Sequence, residues 1–130
     1  MPGFTVQTRK DNEVVDITDK LNSLIQEQGF SDGLCNVFVV HTTAALSTAD
    51  LDPGTDQDML DAFTAMMPHL KYRHPHNPEH APDHILATLI GPSVTLPVHA
   101  GQLVLGTWQR VVLIEFDGPR ERELVLSLIG

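Results

Sequence analysis

Two periods alternate along the chain, and they divide it into strands and helices before any single residue is considered. FTVQTR (4–9) alternates apolar and polar positions, and NEVVDI (12–17) is predicted to return beside it across a polar Lys10–Asp11 turn. From Asp16 the period lengthens. Ile17, Leu21, Leu24 and Ile25 fall at i, i+4, i+7 and i+8, a helical stripe that Gly29 is placed to end. GLCNVFVVHT (33–42) is the clearest strand, rich in β-branched residues and ending at His41, and the acidic STADLDPG that follows reads as a turn. A second helix starts near Thr55 as its cap, with Asp56 and Asp58 at the positive end of its dipole. Met59, Leu60, Phe63, Met66 and Met67 form its stripe, and Pro68 stops it.

Residues 69–84 read as a loop punctuated by Pro75, Pro78 and Pro82. A short helix then opens at Pro82, buries Ile85, Leu86, Leu89 and Ile90, and ends at Gly91. The last third is β: VTLPV, a turn at His99–Gly101, the long run QLVLGTWQRVVLIEF with a bulge or bend at Gly106, a DGPR turn, and ERELVLSLI. The closing strand is apolar at nearly every position (Leu124, Val125, Leu126, Leu128, Ile129), so both its faces need cover from helices, a partner sheet or a neighbouring subunit. The pattern predicts one α+β domain over residues 1–130, with a mostly antiparallel sheet, two longer helices and one short one.

Composition changes this picture mainly by exclusion. A net charge of -9 repels phosphate backbones, so a nucleic-acid partner is disfavoured, and an anionic small molecule needs a local positive site or a metal. No apolar stretch is long enough to span a bilayer, and the N-terminus lacks the apolar core of a signal peptide. One cysteine makes no internal disulfide, which fits a reducing, cytoplasmic setting.

That leaves histidine as the candidate for chemistry. Cys35 lies too far along its strand from His41 to be activated by it and reads as a small buried hydrophobe. Five of the seven histidines (His69, His74, His76, His80, His84) crowd between residues 69 and 84, and His41 ends a strand. Imidazole is both the usual acid–base group near neutral pH and the commonest metal ligand. His84 sits in the first turn of its helix, a position suited to a metal ligand or proton acceptor. A Pro/His/Asn-rich loop is equally the composition of a plain solvated surface, and no spacing matches a strict zinc signature. The acidic run Asp50, Asp52, Asp56, Asp58 lacks calcium-loop order, and helix capping explains Asp56 and Asp58. Glu115 falls on an apolar strand face, where burial requires a partner, and Arg120 and Arg122 are the candidates. Trp108, beside Gly106, is expected to be buried, in the core or at an interface.

HTTAAL (41–46), the DP-x(4)-DM helix start (52–59), DHILATLIG (83–91), LPVHAGQLVLGTWQ (96–109) and EFDGPRER (115–122) occur in an order and spacing that resemble the YjbQ-like family, small proteins associated with a secondary thiamine-phosphate synthase activity. The resemblance covers nearly the whole chain. It implies a sandwich-like α+β domain assembled as a homotrimer, with a histidine-centred site and a divalent metal such as zinc in some members. Carried over by motif, it marks His41, His84 and Glu115 as catalytic, Trp108, Gln109, Arg120 and Arg122 as substrate-binding, and His41, His74 and His84 as metal ligands. Two departures stand out. Thr48-Ala49 replaces an Asn-Glu of the family pattern, with Asp50 the nearest substitute carboxylate, and His80 stands where an asparagine is common. The leading expectation is a metal- or histidine-assisted enzyme joining a pyrimidine pyrophosphate to a thiazole phosphate. The alternatives are a non-catalytic trimeric module that binds a metal or small ligand, and a metal-dependent hydrolase.

Overall fold

In the computed structural model, which describes residues 2–130, the strands form two antiparallel sheets. The larger has the spatial order β1 (Gly3–Gln7), β8 (Glu121–Ile129), β3 (Gly33–Val39), β5 (Ser93–His99), β6 (Gln102–Leu103). The smaller sets β7 (Arg110–Glu115) between β2 (Glu13–Asp16) and β4 (Ala44–Ala49). Three α-helices complete the α+β architecture: α1 (Thr18–Glu27), α2 (Thr55–Met66) and α3 (Ala81–Ile90), the last entered through a 3-10 turn at Pro78–His80. No helix among the described residues is long and apolar enough to cross a membrane.

The layers follow from which faces are apolar. The stripe of α1 (Leu21, Leu24, Ile25) packs between the sheets with Cys35, Val37 and Val39 of β3, Leu124 and Leu126 of β8, and Val111 and Leu113 of β7. The alternate residues of β7, Val112 and Ile114, face the other way with Phe116, onto Leu60 of α2 and Leu86 and Ala87 of α3. β7 is thus the strand covered on both faces by the chain itself, which is why its sequence shows no alternation. The closing strand β8 differs. Arg122, Leu124 and Leu126 point inward, while its outer face carries Val125 and Ile129, and Ile129 is 58% exposed. Leu34, Phe38 and Val40 extend this outward apolar face, and the register sets Leu34 beside Ile129 and Phe38 beside Val125. The chain's own helices and second sheet cover one face of β8 only.

Several expected boundaries shift, each for a physical reason. Segments 4–9 and 12–17 are strands but not partners: β1 pairs with β8 and β2 with β7. Lys10–Asp11 lacks the glycine or asparagine that a tight hairpin turn favours, so each strand joins a different sheet. Part of the acidic turn after His41 is strand, because β4 runs through Ala49 and pairs with β7, Leu46 opposite Leu113. The long run 102–116 divides into β6 and β7 around a turn in which Gly106 O accepts the Gln109 N–H at 3.1 Å. Gly54, at φ 91°, holds the N-cap position expected for Thr55, and α3 equals α1 in length at 10 residues rather than being a short helix.

Candidate active site

At one end of the sandwich, β3 stops at Val39 and the chain turns into Val40–Thr43. This turn, the start of α3, the loop before it and the turn between β7 and β8 surround an open cavity of about 810 Å³. His41, His74, His80 and His84 all line it, with Thr43, Asn77, Asp117, Arg120 and Arg122 among the other walls. Two of the three histidines assigned by resemblance touch directly: the rings of His74 and His84 stack with centroids 4.7 Å apart.

Hydrogen-bond partners fix where the protons sit. The Glu123 backbone N–H donates to His41 Nε2 at 2.9 Å, so Nε2 is the acceptor and the ring carries its proton on Nδ1. His74 Nδ1 lies 3.0 Å from the Asn77 carbonyl, which can only accept, so His74 holds a proton there, and in the neutral ring the lone pair is on Nε2. One ring therefore offers a donor and the other an acceptor. As a metal set the three rings do not fit as they stand. His41 Nε2 is taken by the backbone, and the ligand nitrogens of His41, His74 and His84 do not converge to within 4.8 Å of one another.

Arg122 lines the cavity, and Glu115 lies behind it, out of contact with the open space. Both are buried, at 0% and 2% exposure, and they pair directly. Arg122 Nε donates to Glu115 Oε1 at 2.9 Å, and its terminal nitrogen donates to Glu115 Oε2, to Thr43 Oγ1 at 2.7 Å and to Thr43 O at 3.2 Å. Thr8 Oγ1 and the Asp117 N–H also donate to the Glu115 carboxylate. Glu115 lines none of the cavity, and its pairing with Arg122 leaves neither group free to meet a substrate. Close packing holds this end together: a Cβ on Gly118 would stand 2.2 Å from the Lys10 carbonyl oxygen. Arg120 is more open, with Nε on Asp117 O at 2.8 Å and NH2 on Asp117 Oδ2 at 3.0 Å.

Trp108 and Gln109 lie elsewhere. Trp108 is 70% exposed on the β6–β7 turn, which overturns its expected place in the core, and only an interface role remains open to it. Gln109 donates to Thr48 Oγ1 at 3.1 Å, and Asp50 lines the same surface groove rather than standing in for a carboxylate in the histidine cavity. His69 borders a separate apolar cavity of about 670 Å³ with Phe63 and Tyr72, and His99 pairs with Asp32 at the surface. Cys35 is fully buried, and burial pushes its thiol up to about 11, far from a reactive thiolate.

Sequence reasoning passed over Asn77, Thr43 and Asp117, and named Asp83 only together with His84 as the helix start that could meet a leaving pyrophosphate. Asp117 stood inside the quoted EFDGPRER motif, where its arginines drew the attention. Burial, and then the facing Asp117, push the Asp83 carboxyl up to about 6.

A two-sheet α+β sandwich with a histidine-lined cavity at one end of its sheets defines the class. Within it, the chain belongs to the family described as UPF0047 protein YjbQ-like, which it matches over residues 3–130. It is 39% identical over 127 residues to a UPF0047 protein of Archaeoglobus fulgidus, covering 97% of this chain and 98% of that one. It is 41% identical over 120 residues to one from Mycobacterium tuberculosis, covering 89% and 88%. Among solved structures, a YbjQ-like protein of unknown function from Sulfolobus solfataricus superposes with a TM-score of 0.92 at 34% identity, covering 99% of this chain and 95% of that one.

Proposed function

We propose that the cavity is the active site of a small-molecule enzyme in which His74 Nε2 accepts a proton and His41 Nδ1–H supplies one. The observation that carries this reading is the pair of complementary proton positions on two rings of one cavity, held by the Glu123 N–H and the Asn77 carbonyl. An acid and a base oriented this way can between them activate a nucleophile and protonate a leaving group. His84 fixes the plane of His74 by stacking, and Glu115 positions rather than reacts, holding Arg122 and the backbone of the Asp117 turn.

The reaction to test first is the thiamine-phosphate-forming condensation that the family resemblance suggested. Charge complicates it. Arg122 is spent on Glu115 and Arg120 on Asp117, so a departing pyrophosphate would meet little free positive charge from the chain. With both substrates supplied and product followed by chromatography, His41→Ala and His74→Ala should each lower kcat/KM by about 10²–10⁴ with unchanged melting. Turnover that survives His74→Ala overturns the reading. Tight ligand binding without turnover in the wild-type protein favours instead the non-catalytic binding module.

The assembly is read as a homotrimer: the family resemblance implies three copies, and the outward apolar face formed by Leu34, Phe38, Val40 and Ile129 offers a surface for them to cover. Light scattering should give three times the chain mass of 14.3 kDa, and Phe38→Glu should shift it towards one. A stable monomer in the wild-type protein across dilution would remove the trimer.

A further inference from the structure

Beside the histidine pair lies a second cluster that the proposed reaction does not use. His80 precedes α3, Asp83 lies in its first turn, and Asp117 comes from the turn after β7, so the three meet only in the folded chain. One ligand atom from each falls within 4.8 Å of the others. His80 Nδ1 stands 3.1 Å from Asp117 Oδ1 and 3.4 Å from Asp83 Oδ2. A charge-assisted N–H···O bond closes to about 2.7–2.9 Å, as it does at 2.7 Å between His99 and Asp32 on the surface. The separations at His80 are wider, and they match another geometry. Ligands about 2.1 Å from a shared ion stand about 3.0 Å apart when adjacent in an octahedron and about 3.4 Å apart in a tetrahedron.

Asp117 is also prepared for such a role. Its backbone N–H is fixed by the buried Glu115 and its Oδ2 by Arg120, which leaves Oδ1 turned to His80. Asp83, by contrast, has His80 as its ion-pair partner and a second carboxylate facing it. The two half-buried carboxylates that converge on the imidazole repel each other, and either a protonated His80 or a metal ion bound by neutral His80 offsets that repulsion. The structure assigns to His80, Asp83 and Asp117 a binding site for one divalent transition-metal ion. One imidazole nitrogen and two carboxylate oxygens form a borderline-hard set that suits zinc or manganese and leaves coordination positions open. Because His80 and Asp117 also line the cavity of His41 and His74, an ion held by them would stand at the wall of that cavity, within reach of a small molecule that enters it. A phosphate or carboxylate oxygen is the group such an ion would take, supplying the positive charge that Arg120 and Arg122 do not.

The test uses untagged protein stripped with chelator, then titrated with Zn²⁺ against a chromophoric competitor and with Co²⁺ by visible absorption. One equivalent per chain should bind, His80→Asn and Asp83→Asn should each weaken it tenfold or more, and His41→Ala and His74→Ala should leave it unchanged. Melting of the stripped variants alongside stripped wild type shows that lost binding is not lost folding. No binding by wild type, or binding that survives His80→Asn and Asp83→Asn but disappears in His74→Ala, overturns the assignment. Metal affinity is read without any substrate, so the catalytic reading of His41 and His74 stands or falls separately.

Discussion

Arg122→Ala is expected to destabilise the fold by about 3–5 kcal/mol, because it strands a carboxylate between the two sheets. Glu115 is wholly buried, and its oxygens accept from Arg122, Thr8 Oγ1 and the Asp117 N–H. Without the guanidinium, the charge on Glu115 keeps only the neutral donors, and Thr43 Oγ1 and O lose theirs. The cost is that of breaking the pair and does not measure its net worth. A double change, Glu115→Leu with Arg122→Met, should therefore be far milder than the sum of the single changes. Urea unfolding gives the measurement: a lower midpoint at unchanged slope for Arg122→Ala, with a partial return in the double variant. An unfolding free energy within about 1 kcal/mol of wild type would mean that water reaches Glu115 and that the pair does not hold the sheets together.

Leu21→Ala should cost about 2–5 kcal/mol. Leu21 is fully buried in α1, in the cluster where Val37, Val111 and Leu126 represent both sheets. Truncation leaves a cavity in a buried cluster whose strands are hydrogen-bonded to one another and cannot simply move inward to fill it. Chemical denaturation again decides, and a loss below about 1 kcal/mol would show that the helix is only loosely seated between the sheets.

That Leu21 could be named in advance shows what the chain makes legible. The helical stripe of α1 and the β-branched run of β3 each carry a period strong enough to specify the element and its buried face. Partnership is another matter. Alternation shows which face of β1 and β2 is buried, not which strand lies alongside, and so the two were joined in a hairpin they do not form. β4 was half hidden because Ala44, Ala45, Ser47, Thr48 and Ala49 have little strand preference of their own, and its pairing with β7 decides. In the site, His41 and His84 share a cavity, as their motifs suggested, and His74 joins them. Either Arg120 or Arg122 could have paired with Glu115 by sequence. The choice falls on Arg122 because it sits on the inward face of β8, opposite the inward face of β7. Trp108 and Gln109 are on a turn beyond the opposite end of β7 from Glu115, a distance that motif adjacency conceals.

The position of β8 bears on how the protein is made. It lies between β1 and β3 in the larger sheet, yet in chain order it comes after every other strand. As the polypeptide leaves the ribosome, β1 and β3 must wait with unpaired edges until residues 121–129 emerge, and such edges are sites for association with other chains. The Arg122 partner of Glu115 arrives with the same segment, so the carboxylate of β7 also waits uncompensated. A nascent or truncated chain that stops before Glu121 thus has most of its hydrophobic residues and neither a closed sheet nor a finished cavity, and is the kind of species that chaperones and proteases take up.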